Sequence, residues 1–68
     1  MLAIRKFKYF QNDLFNPDVF TEISEVEFIN EVIKFRNCFE HHYLNSSVVE
    51  FSLKNNPLIK YRREVLNA

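Results

Sequence analysis

The chain has 68 residues, nine Lys and Arg against nine Asp and Glu, eight Phe, three Tyr, one Cys and no Gly. A single domain of this size buries only about 60% of the surface its unfolded form exposes, and one cysteine leaves no disulfide to compensate, so a dense aromatic core or self-association has to supply the stability. The lack of glycine excludes P-loops, Rossmann fingerprints and related loops, which need a residue without Cβ where backbone meets phosphate.

Residues 3–10, A-I-R-K-F-K-Y-F, alternate: Phe7 and Tyr9 point one way and Lys6 and Lys8 the other, the pattern of a half-buried strand. Residues 11–18, Q-N-D-L-F-N-P-D, are dense in turn formers, and Pro17 forces Asn16 out of the helical region, so they read as a loop. Val19 to Ile23 is β-branched and aromatic and predicts a second antiparallel strand.

Ser24 to Leu44 reads as one long amphipathic helix around which the fold is organised. Ser24 and Glu27 form a capping box, and at 100° per residue Phe28, Val32, Phe35, Phe39 and Tyr43 share a stripe, with Asn45 closing the helix. Val26, Ile29 and Ile33 add a second apolar ridge, wider than one sheet contact requires. Leu14 and Phe15 from the preceding loop are its expected cover; the alternatives are a second copy of the chain or a different protein.

Val48 to Leu53 alternates as a strand, although Ser47 and Glu50 have the spacing of another capping box. Residues 54–57 are a turn. Leu58 to Leu66 reads either as a strand with Ile59, Tyr61 and Val65 inward or as a helix with Asn56 as cap and Pro57 in its first position. A short connection favours a hairpin. The expected fold is therefore α+β, a small antiparallel sheet (ββαββ) packed on one long amphipathic helix over residues 24–44, in a single small domain spanning 1–68.

The charge is segregated. Arg5, Lys6 and Lys8 make the start basic, residues 11–31 hold six acids and no base, and residues 32–68 hold six bases and three acids. If the basic ends meet, they form a positive patch in which cations stand beside rings, R-K-F-K-Y-F and K-Y-R-R, as on surfaces that hold phosphates and stack bases. Alternation sends the rings and cations to opposite faces, however, and the net charge is zero.

On the expected helix Cys38 and His42 are four apart, with His41 beside them and Glu27 and Glu31 on nearby turns. That is half a metal site at best, so no metal and no cofactor is expected. Glu25, Glu27 and Glu31 suit the positive end of the helix dipole better than acid–base catalysis, and no third group orients a Cys–His pair. The lone cysteine, an N-terminus that turns basic too early for a signal peptide, and the lack of a ~20-residue apolar run predict a cytoplasmic protein with no membrane association.

These features converge on a non-catalytic binding protein, a small accessory or inhibitor protein acting through a protein–protein interface on a larger protein or nucleoprotein complex. Abundant Phe, Asn, Ile, Lys and Tyr match AT-rich coding sequence, as in phage and other mobile elements. The partner-binding candidates are Val26, Ile29 and Ile33, and a homodimer is possible. The alternative is a small nucleic-acid-binding regulator using Arg5, Lys6, Lys8, Lys60, Arg62 and Arg63.

Overall fold

The computed structural model describes residues 6–45 and 47–66. Its elements in chain order are β1 (Lys6–Asn12), β2 (Phe20–Ile23), α1 (Glu25–Lys34), β3 (Phe39–Tyr43), β4 (Val48–Leu53) and β5 (Lys60–Leu66). The strands form one antiparallel sheet in the order β2-β1-β5-β4-β3, so the two strands farthest apart in sequence pair near its middle. The helix lies across one face. The other carries no second layer among the described residues, and the result is a small α+β domain.

Strands β1, β2, β4 and β5 fall in the segments where the sequence places strands. Residues 3–5 of the first lie outside the described residues, and β1 continues to Asn12. The hairpin reading of residues 47–66 holds, with β4 and β5 paired from Val48↔Glu64 to Ser52↔Lys60.

The long helix is corrected. Ser24 does cap α1, its Oγ accepting from the Glu27 amide at 3.1 Å, but the helix has ten residues and ends at Lys34, capped by Phe35 at φ −117°, ψ 22°. The Cys38 amide then donates to the Phe35 carbonyl at 2.8 Å, a turn that redirects the chain into β3. Phe39 and Tyr43 are therefore strand residues, and the order is ββαβββ. Asn45 closes the β3–β4 connection instead of a helix: its Oδ1 accepts from the Ser47 and Val48 amides at 2.8 and 2.9 Å.

The same device recurs at the other turns. Asp13 Oδ1 accepts from the Phe15 amide at 2.8 Å and Asn56 Oδ1 from the Leu58 amide at 3.3 Å. No described residue has a positive φ. Lacking glycine, the chain makes its turns within the ordinary φ range and ties them with side-chain carbonyls and carboxylates.

Phe28 is the buried residue of α1. Its ring lies 4.5 Å from that of Tyr9, 5.8 Å from Phe51 and 6.2 Å from Tyr61, the last two edge-on. Phe39 extends the cluster from β3, 5.8 Å from Tyr61 and 6.3 Å from Phe51. Tyr61, 2% exposed, sits beneath the helix and donates its hydroxyl to Glu31 Oε2 at 3.2 Å, which fastens α1 to the sheet by a polar contact as well. At the sheet end, buried Asn12 donates to the Leu58 carbonyl at 2.6 Å and accepts from the Lys60 amide at 2.8 Å, fixing β1 to the start of β5.

Two predictions come from this core. Phe28→Ala removes the only buried ring of the helix and should cost about 3–5 kcal/mol; in a chain this small, chemical denaturation should show a lost or strongly shifted transition, and a midpoint near that of the wild type would show that α1 is held elsewhere. Burial, reinforced by the Glu31 charge and hydrogen bond, pushes the Tyr61 hydroxyl up to about 12 from its ordinary value of 10.0. A raised folded pKa means the stabilisation is complete below about pH 10 and lost as pH climbs through 12, about 2–3 kcal/mol in all. Tyr61→Phe should flatten that alkaline fall in denaturation curves taken between pH 9 and 12; an unchanged slope would remove Tyr61 as its source.

Candidate functional site

Two surfaces carry the residues singled out in the sequence. The first is the outer side of α1. Burying Phe28 against the rings fixes the rotation of the helix, so residues spaced about a third of a turn away must face outward. Val26, Ile29 and Ile33 are 69, 44 and 63% exposed, one apolar ridge at i, i+3 and i+7. Glu25, Glu27 and Asn30, all exposed, flank it.

The expected cover for this ridge is corrected. Leu14 and Phe15 do not reach it; both are exposed, Phe15 at 99%. The loop is closed at its base by the Asp13 amide on the Val19 carbonyl at 2.8 Å, and all of β2 separates it from Ser24. Four extended residues span about 13 Å, which places the loop at the end of the sheet opposite the helix start.

The second surface is the uncovered face of the sheet. The basic ends do meet, because β1 pairs with β5 from Lys6↔Leu66 to Gln11↔Tyr61. Strand alternation puts Lys6, Lys8, Lys60 and Arg62 on the open face and Arg63 on the helix side, its guanidinium 5.2 Å from the Phe7 ring. Arg5 lies outside the described residues. Glu22, Glu40, Glu50 and Glu64 share the open face, with Glu64 directly opposite Lys8. Arg62 is committed: it donates to Glu50 at 3.2 Å and lies 4.1 Å over the Phe20 ring. The face is thus laced with both signs, and its guanidinium is engaged within the chain.

The open face also holds a pair that the long-helix reading hid. His42 Nε2 is 3.0 Å from Ser52 Oγ, beside a depression of roughly 530 Å³ that Glu40, Glu50 and Lys60 also line. A Ser–His–acid relay needs its carboxylate on the far ring nitrogen. Here Glu40 Oε2 approaches the same Nε2, at 3.8 Å. Ladder alternation also commits the Ser52 amide to Glu40 across the β3–β4 pair, so that amide is not free to serve an oxyanion beside the hydroxyl. The pair reads as a structural hydrogen bond that satisfies a buried serine.

The helical spacing of Cys38 and His42 does not persist in the structure. With α1 ending at Lys34, Cys38 lies in the turn and His42 on the open face of β3, while Glu27 and Glu31 stand on the helix. Among the described residues, no three Cys, His, Asp or Glu side chains converge as metal ligands would. No described helix is long and apolar enough to cross a membrane. No protein-family model, characterised protein or solved structure matches the chain.

The interleaved charges set the expectation for nucleic acid. Binding to single- or double-stranded DNA or RNA should be weak, appearing only at low salt and vanishing as salt approaches physiological strength. A sub-micromolar, steeply salt-dependent complex, lost on Lys6→Glu/Lys8→Glu substitution, would move the functional site from the helix to the sheet.

Proposed function

We propose that the protein is a non-catalytic binding module that works by seating the outer ridge of α1 on a larger protein or nucleoprotein complex, in the manner of an accessory or inhibitor protein. The observation that carries this is the ridge itself: Val26, Ile29 and Ile33 stand in water on a helix whose rotation is already fixed by Phe28 on its other side. Their i, i+3, i+7 spacing is that of helices that lay anchors into an apolar groove. A preformed helix loses little further freedom on docking, so more of the transfer energy of its side chains, about 25 cal/mol per Å² of apolar area removed from water, remains as affinity. The acids beside the ridge suit a groove with a basic rim.

The test is a photo-crosslinking residue at Ile29 in cells, followed by binding of the captured partner to wild type and to Ile33→Glu, with and without nuclease. Ile33→Glu should abolish binding while its circular dichroism and melt stay within about 0.5 kcal/mol of wild type, as for an exposed position. Undiminished binding of a folded Ile33→Glu would remove the ridge from the interface.

A further inference from the structure

The two edges of the sheet differ. The β2 edge is four residues long and passes directly into α1, a short edge of the kind that resists pairing. The β3 edge runs regularly from Phe39 to Tyr43 with no bulge, no proline and no lysine, and among the described residues it pairs only with β4. From Glu40 to Tyr43 its residues are exposed, Tyr43 at 79%.

The ladder shows which backbone groups that edge offers. The Leu44 amide donates to the Val48 carbonyl and the Lys54 amide to the Cys38 carbonyl, so residues 38, 40, 42 and 44 hydrogen-bond to β4 and the alternate residues do not. Phe39, His41 and Tyr43 therefore turn their N–H and C=O groups outward.

The sequence of this edge, F-E-H-H-Y, is complementary to its own reverse, Y-H-H-E-F. Set antiparallel against a second copy with the two-fold axis at His41, Phe39 stands opposite Tyr43, Glu40 opposite His42, and His41 opposite itself. Both Phe39 and Tyr43 lie on the helix side and both Glu40 and His42 on the open face, so each opposed pair shares a face. The Phe39–Tyr43 pairs are aromatic, which is favourable across antiparallel strands, the Glu40–His42 pairs set a carboxylate beside an imidazole, and the two His41 rings meet at the axis. In this register every outward N–H and C=O of Phe39, His41 and Tyr43 meets its complement, about six hydrogen bonds in all.

We propose that the protein forms a two-fold dimer by antiparallel pairing of β3 with β3 of a second copy, joining the two sheets into one. The contact is isologous and closes on itself, and the short β2 edges leave nothing suited to continue it. A two-fold axis normal to the sheet keeps the faces matched, so both copies of α1 lie on the same side. The dimer does not depend on the ridge of α1, but it would present two ridges together and bind a repeated or two-fold partner more tightly than one ridge does.

Sedimentation velocity across micromolar to millimolar concentration should show a reversible dimer, retained in Ile33→Glu. His41→Pro removes an N–H that β4 does not use, a position where an edge strand tolerates proline, and should give a monomer with the wild-type circular dichroism spectrum. If that variant fails to fold, amide exchange on the wild type decides: the Phe39, His41 and Tyr43 amides should gain protection with concentration, whereas Glu40 and His42 should be protected throughout. A wild type that stays monomeric at millimolar concentration, a folded His41→Pro that still dimerises, or outward amides that exchange freely in the dimer would each overturn the proposal. Loss of the dimer in Ile33→Glu would transfer the contact to the helix, and loss of partner binding with the dimer intact would concern the ridge alone.

Discussion

The packing of Phe28 against Tyr9, Phe51 and Tyr61 is the contact on which the molecule depends. A ten-residue helix is too short to persist in water on its own propensity, so its existence and its rotation are both set by tertiary contact. One ring fixes the face that points inward, and the Tyr61–Glu31 hydrogen bond fixes where along the sheet the helix rests. The exposure of the outer ridge follows from that anchoring. Val26 and Ile33 are exposed because burying Phe28 and burying them are geometrically exclusive for one sheet.

The second layer of organisation is the substitution of side-chain chemistry for glycine. Asp13, Asn45 and Asn56 each stand at the start of a turn and accept from backbone amides two or three residues on. Asn12 does similar work at longer range. The uncovered face of the sheet is managed with charge: Arg62 lies over Phe20 while pairing with Glu50, so an aromatic surface that would otherwise face water is capped by a guanidinium.

The parts that were legible in the sequence are those where local signals agree with tertiary demands. Period-two alternation located β1, β4 and β5, and the Ser24–Glu27 pair located the start of α1. The end of the helix is not legible in the sequence, for a definite reason. Phe35, Phe39 and Tyr43 are four residues apart, and a spacing of four satisfies a helical stripe and an alternating strand equally well. The discriminating signals were weaker: Asn37 in a turn, and aromatic and histidine residues filling 39–43 without a strong helix former beyond Glu40. With the helix extended to Leu44, β3, the His42–Ser52 bond and the open edge all drop out of view. The exposure of the α1 ridge was harder to read, because deciding between cover by Leu14–Phe15 and solvent requires knowing that β2 carries the loop away from the helix.

The placement of β1 beside β5 bears on how the chain reaches this state. Strands β3, β4 and β5 are joined by short turns and can associate as a local meander, whereas Asn12 finds Leu58 across 46 residues of sequence. Closing a loop of that size costs about 3 kcal/mol of chain entropy before any contact is gained. Refolding should therefore be paced by the docking of β1 and β2 onto a meander that already exists, with non-local contacts slowing it relative to helical proteins of equal length. Amide labelling during refolding would show β4 and β5 protected ahead of β1. Until β1 arrives, the β5 edge is open as well, and the interval in which the chain is most exposed to pairing with other chains is set by the rate of that single step.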